Sequence, residues 1–247
     1  MKKILIDDFG IEKNDLGYYF TANIDFLGQN SELLLNYDTE DEISEVELKD
    51  IYILCELAWL FDNIKDDCEK GLEYLEKAKN LGRDDVWINS EIGWNLSGDP
   101  QKYNEALEYF QKAVELGRDD EWINGQIGFV LSKLGKNKEA VKYFEKAKFI
   151  NPDSEWISYH LGCCYRKLGE VQKAIEILTV IKENGEIRGW TELELAWCYA
   201  LIDEKEKARE YLKEADSYIG GEIANSPELK KDFETVKQLI SMTTYLS

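Results

Sequence analysis

The chain has 247 residues, of which 44% are hydrophobic and 32% charged, and it carries a formal net charge of −20. That mixture is globular rather than disordered, and the acidity excludes the basic stripes that a nucleic-acid surface needs. Only 3 prolines occur, which suits long helices, and no stretch approaches the ~20 apolar residues of a membrane span, so the expectation is a soluble, cytoplasmic protein with no membrane contact.

The amino-terminal run Ile4-Leu5-Ile6 is too short for a signal-peptide core and is closed by Asp7 and Asp8. It reads as a short strand. Tyr18, Phe20, Ala22, Ile24 and Phe26 then alternate with other residues, the period of a strand. Leu27 to Asn30 reads as a turn, and Leu33, Leu35 and Tyr37 as a returning strand. A two-stranded hairpin is marginal alone, so it should pack on the first helix. That helix is expected to begin near Thr39, with Glu42 three residues on as the second half of a capping box. Residues 1–50 hold 13 Asp/Glu against 4 Lys/Arg, a net of −9, which argues against a DNA-binding helical module here.

From residue 51 the chain repeats itself. The segment from Leu81 through Gly93 recurs from Leu116 through Gly128, 35 residues later, including Gly-Arg-Asp-Asp and Trp-Ile-Asn. Trp87, Trp122, Trp156 and Trp190 follow at spacings of 35, 34 and 34. Small residues recur at Ala58, Gly93, Gly128, Gly162 and Ala196, and again at Gly71, Ala106, Ala140, Ala174 and Ala208. Four residues after the second series stand Leu75, Phe110, Phe144, Leu178 and Leu212.

Each unit makes sense as two helices, because small residues let helices approach and the larger apolar residues form a buried stripe. In the third unit Ile127, Gly128, Leu131 and Leu134 share one face of the first helix, and Ala140, Phe144, Ala147 and Ile150 line the second. Gly135 and Asn151-Pro152 end these helices. Gly82 and Gly117 are expected as left-handed caps, with Asp84-Asp85 and Asp119-Asp120 capping the next helix.

The 34-residue period with Ile127-Gly128, Ala140, Phe144 and Pro152 in the third unit, and Leu161-Gly162, Tyr165 and Ala174 in the fourth, resembles the tetratricopeptide repeat. The resemblance spans residues 51–218, in units near 51–83, 86–118, 121–152, 155–185 and 189–218. One departure is that the family's early tryptophan position holds Asn89, Asn124 or Ser158, with tryptophan two residues earlier. The implied fold is mainly α, a right-handed α-solenoid of helical hairpins. A small β module over 1–40 precedes repeats over 41–218, and 219–247 forms a C-terminal capping helix. Ser226-Pro227 marks the start of that helix, expected over 227–243.

In such a solenoid the first helix of each pair lines the concave side. All 7 tryptophans fall in first helices, at two positions seven residues apart that share a face. Tyr52, Trp87, Trp122, Trp156 and Trp190 form one row; Trp59, Trp94, Phe129 and Trp197, with Cys163, form the other. The resemblance turns both rows toward the groove, which implies an aromatic channel for a partner peptide or helix. The same rings serve equally as packing between units; partly open rings would mean a site, and buried ones structure.

The family's clamp for a partner's terminal carboxylate is poorly matched: its positions hold Trp87, Ser90 and Trp94 in one unit and Trp122, Gly125 and Phe129 in the next. Lys133, Arg166 and Lys167 are the basic residues on that side. Catalysis is not expected. His160 is the only histidine, and its spacing from Cys163 is that of a chance pair on one helix turn. Five cysteines, Cys55, Cys68, Cys163, Cys164 and Cys198, read as reduced thiols that serve as small apolar helix residues. No zinc ligand set and no phosphate-binding glycine loop is present, so no metal and no cofactor is expected.

Three functions compete. The first is a scaffold that binds a protein or peptide partner through the aromatic groove. The second is an immunity protein that neutralises a basic bacterial toxin through its acidic surface; the opening through Tyr37 resembles the small β modules of some bacterial immunity-type proteins. The third is an intracellular peptide sensor built on the same repeats, a version that the acidic β-like start disfavours. Oligomeric state stays open.

Overall fold

A computed structural model of the chain describes residues 13–14, 17–23, 32–36, 51–63, 67–184 and 187–242. The expected strand at Ile4 to Ile6, the turn at Leu27 to Asn30, the capping box at Thr39 and the side chain of Tyr52 lie outside the described residues. Three short strands, β1 (Lys13–Asn14), β2 (Gly17–Asn23) and β3 (Glu32–Asn36), form an antiparallel sheet in the order β1-β2-β3. Tyr19 stands opposite Asn36 and Ala22 opposite Leu33.

The chain forms two compact units, Met1–Gly98 and Asp99–Ser247. The first contains the sheet and the helices α1 (Ile51–Asn63), α2 (Cys68–Asn80) and α3 (Val86–Leu96). The second contains a 3-10 turn at Pro100–Lys102 and then α4 (Tyr103–Glu115), α5 (Glu121–Lys133), α6 (Asn137–Ile150), α7 (Glu155–Lys167), α8 (Val171–Asn184), α9 (Trp190–Leu201), α10 (Lys205–Asn225) and α11 (Pro227–Ser241). The described part of the chain from residue 51 is helical throughout.

Consecutive helices pack as hairpins: α1 with α2, α5 with α6, α7 with α8, and α9 with α10. The small-residue series explains how. A Cβ on Gly128 in α5 would lie 3.0 Å from the Phe144 ring of α6, and one on Gly162 in α7 would lie 2.8 Å from Leu178 of α8. Phe110, Phe144 and Leu178 are buried, as are Ala106, Ala140, Ala174 and Ala208. Burying each large side chain contributes roughly 1.5–3 kcal/mol. One residue departs from the stripe read in the sequence: Ile150 is 44% exposed. It is the last residue of α6 and lies past the turns that face α5.

Between hairpins, Gly82 and Gly117 adopt left-handed φ values of 106° and 107°, which a Cβ would oppose. The chain then turns into an aspartate cap: Asp85 accepts from the Ile88 amide at 2.9 Å and Asp120 from the Ile123 amide at 2.8 Å.

The carboxy-terminal end is longer than the repeat period suggests. Helix α10 runs to Asn225, past 218. Ser226 then caps α11 by accepting from the Leu229 amide, with Pro227 in the first turn. Leu229, Phe233, Val236 and Ile240 of α11 join Leu193, Ala196 and Ala200 of α9 and Leu212, Ile219 and Ile223 of α10 in one buried cluster. Among the described residues no helix is long and apolar enough to cross a membrane.

Candidate functional site

The tryptophan row at 87, 122, 156 and 190 divides into two kinds, and the preceding loop decides which. Where the loop is Gly-Arg-Asp-Asp, its arginine folds onto the ring. The Arg83 guanidinium lies 4.6 Å from the centre of the Trp87 ring, and its Nε donates to Asp85 at 2.9 Å. Arg118 repeats this on Trp122 at 4.3 Å, donating to Asp120 at 2.8 Å. Trp122 also meets Phe110 edge-on at 5.9 Å. These two rings are half-buried parts of the joints between hairpins.

The loops before Trp156 and Trp190 lack that motif: Asn151-Pro152-Asp153-Ser154 precedes the first and Ile187-Arg188-Gly189 the second. Among the described residues neither ring has a cation over its face. Trp156 is 36% and Trp190 37% exposed, and both line a cavity of about 450 Å³ within the second unit. Trp156 is seated by packing from below, against Phe144 at 6.2 Å and His160 at 4.6 Å, while Gly125 of α5 makes room for its edge.

The remaining expected ring positions scatter. Phe129 packs beside Trp156 at 6.0 Å and carries Lys133 5.4 Å above its ring. Trp197 is half-buried against the α9–α10–α11 cluster, with Arg166 3.8 Å over its face. Trp59 is half-buried and Trp94 is 49% exposed, both in the first unit. The rows are therefore neither wholly core nor wholly open. Trp156 and Trp190 share the cavity; Trp122 and Trp197 do not line it.

The cavity has charged walls of opposite sign. Lys133 and Lys167 stand at the carboxy-terminal ends of α5 and α7. Glu228 and Asp232 face the cavity from the first turns of α11. Burial pushes the Asp232 carboxyl up, reinforced by the Glu194 carboxylate and opposed by Arg166. Between the walls lies an Arg166–Glu194 pair with side chains only 9% and 12% exposed, joined at 2.5 and 3.1 Å.

His160 and Cys163 also line the cavity, and neither is prepared for nucleophilic chemistry. Burial, with Lys133 and Lys167 adding, drives the His160 pKa down to about 3, so the ring is neutral. It stacks on Phe144 at 5.8 Å. Burial raises the Cys163 thiol well above its usual range, and its side-chain hydrogen bond is with Tyr159. Among the described residues no group of His, Cys, Asp and Glu could hold a metal ion.

Arg166, Glu194 and the acidic face of α11 were not singled out as a set by the sequence reading. A signal existed. Position 166 corresponds to Asp62, Ser97, Ser132 and Ala200 in the other units, so an arginine there departs from the small residues of three of them. The α11 carboxylates lie outside the repeat and carry no such mark.

Repeated helical hairpins with alternating small and large packing residues define this as an α-helical repeat protein. Family models for the tetratricopeptide repeat match residues 123–154 and 158–184, the third and fourth units. These two stretches of the chain are tetratricopeptide repeats. Among solved structures it is similar in fold to YrrB, described as a TPR protein with an unusual peptide-binding site (21% identity, TM-score 0.61, covering 80% of this chain and 95% of that one). It is similar to MamA from Desulfovibrio magneticus RS-1 (19% identity, TM-score 0.61, 68% and 93% covered). It is also similar to PilF of Pseudomonas aeruginosa (18% identity, TM-score 0.61, 77% and 84% covered). No curated protein sequence matches the chain.

Proposed function

We propose that this chain is a protein-interaction scaffold that holds a segment of a partner in the cavity of its second unit. The observation that carries the reading is the pair Trp156 and Trp190, open rings without an internal cation, lining a cavity of ligand-binding size. The tetratricopeptide repeats and the fold similarity to YrrB, a protein described as having a peptide-binding site, support it. Trp87 and Trp122 are assigned to the joints, since each is covered by its own loop arginine.

Trp190 is the discriminating position, because no ring contact or cation holds it among the described residues. Tagged wild-type chain, Trp190→Ala and Trp94→Ala are compared for the proteins each retains from cell extract. The reading expects partners lost with Trp190→Ala and kept with Trp94→Ala, at unchanged helicity. Equal retention by all three would place the interaction elsewhere.

A further inference from the structure

Among the described residues, Trp87, Trp122 and Trp197 each carry an arginine, and each time the guanidinium also binds a carboxylate. Arg83 lies over Trp87 and donates to Asp85; Arg118 lies over Trp122 and donates to Asp120; Arg166 lies over Trp197 and donates to Glu194. A planar guanidinium is suited to both tasks at once, stacking flat on an indole while its edge forks onto an acid. Trp156 and Trp190 have the same kind of ring without the arginine. They share their cavity with Glu228 and Asp232, and neither carboxylate forms an ion pair among the described residues.

We infer that the cavity is a receptor for an arginine side chain of the partner, whose guanidinium lies against the open indoles and is met by Asp232 and Glu228. This rests on the cavity's being the partner site. Asp232 favours the occupant further, since a cation beside a half-buried acid relieves the cost of its charge. The cavity's own cations leave the place open. Arg166 is committed to Trp197 and Glu194, and Lys133 lies over the Phe129 ring. Lys167 stands exposed on the wall facing α11, and its charge disfavours a run of basic residues. The occupant is a single arginine in an otherwise uncharged or acidic segment. Lysine fits less well, because a compact ammonium does not stack on a ring and grip an acid together.

The test is an NMR titration of the full chain with blocked pentapeptides, acetyl-Gly-Ser-Xaa-Ser-Gly-amide, where Xaa is arginine, citrulline, lysine, glutamate or leucine. Citrulline keeps the shape of arginine without its charge. The arginine peptide is expected to shift the indole resonances of Trp156 and Trp190 and to bind about tenfold more tightly than the citrulline peptide. Asp232→Asn and Glu228→Gln should each weaken it several-fold, and Trp190→Ala should abolish it, with thermal midpoints unchanged. Equal binding of arginine and citrulline, or indifference to both acid substitutions, overturns the assignment. If the leucine or glutamate peptide shifts the two indoles instead, the arginine assignment fails while the cavity remains a partner site. If no peptide moves either indole, both readings fall.

Discussion

The guanidinium of Arg166 lies 3.8 Å from the centre of the Trp197 ring while its Nε and Nη2 reach the two carboxylate oxygens of Glu194 at 2.5 and 3.1 Å. The pair links α7 to α9 in a place where both charges are nearly dry. Removing one partner strands the other, so Arg166→Met or Glu194→Leu alone should cost about 3–5 kcal/mol. Removing both together should cost much less, because no buried charge remains. Urea unfolding of the two single variants and the double variant measures the coupling. Additive losses would mean that the pair is solvated in solution.

Gly125 tests whether the attitude of Trp156 matters apart from the presence of its ring. A Cβ at residue 125 would lie 3.0 Å from Cζ3 of Trp156, so Gly125→Ala must displace the indole by a few tenths of an ångström or more. The displacement should cost on the order of 1 kcal/mol of stability. It should also change Trp156 emission and weaken partner binding although every ring is still present. Unchanged binding with a displaced ring would show that the cavity tolerates a range of ring positions.

The hairpins were legible because packing imposes a period on them: Gly128 against Phe144 and Gly162 against Leu178 are contacts that a sequence must repeat to build. The caps at Gly82, Asp85, Gly117 and Asp120 were legible for the same local reason. The candidate site was legible only in part. Periodicity marks where Trp87, Trp122, Trp156 and Trp190 share a helix position, but their difference lies in the loop arginine that covers two of them. The acidic wall could not be read from the repeat at all. Glu228 and Asp232 lie on α11, and their approach to α7 and α9 depends on how far α10 extends before the chain reverses at Ser226.

Two titratable groups give the two units opposite responses to acid. In the first unit, burial pushes the Asp62 carboxyl up to about 6; the Asn95 hydrogen bond opposes this and the Asp67 charge reinforces it. The folded state therefore binds this proton more tightly than the unfolded chain does, and the stabilisation present at low pH is lost as pH rises through about 6. Asp62 is half-exposed, so the effect is discounted to about 1 kcal/mol. In the second unit, His160 has its pKa held down at about 3. Its contribution is present above the unfolded value of 6.5 and is lost as pH falls, by about 2 kcal/mol at pH 5. Hydrogen exchange between pH 7 and pH 5 should show α1 and α2 gaining protection while α7 loses it. Asp62→Asn and His160→Phe should each flatten the response of their own unit only.

The turn between α9 and α10 holds a left-handed backbone without a glycine. Gly135 and Gly169 occupy the corresponding turns of the preceding hairpins, with φ values of 77° and 79°. The fifth hairpin has Asp203 there instead, at φ 63°, a left-handed backbone that an L side chain adopts at a cost. Asp203 also pairs with Lys205 at 3.3 Å, but its side chain is 57% exposed and such a pair is worth a few tenths of a kcal/mol. Relief of the backbone should outweigh both the interactions that the exposed side chain loses, the Lys205 pair among them, and the greater freedom that glycine brings to the unfolded chain. Asp203→Gly is expected to stabilise the protein by about 0.5 kcal/mol. Asp203→Ala should do the reverse by a similar amount, since alanine keeps the Cβ clash and loses the polar side chain. Thermal unfolding of the two variants beside the wild type measures the order, and an alanine variant as stable as the glycine one would show that the turn relaxes out of the left-handed conformation.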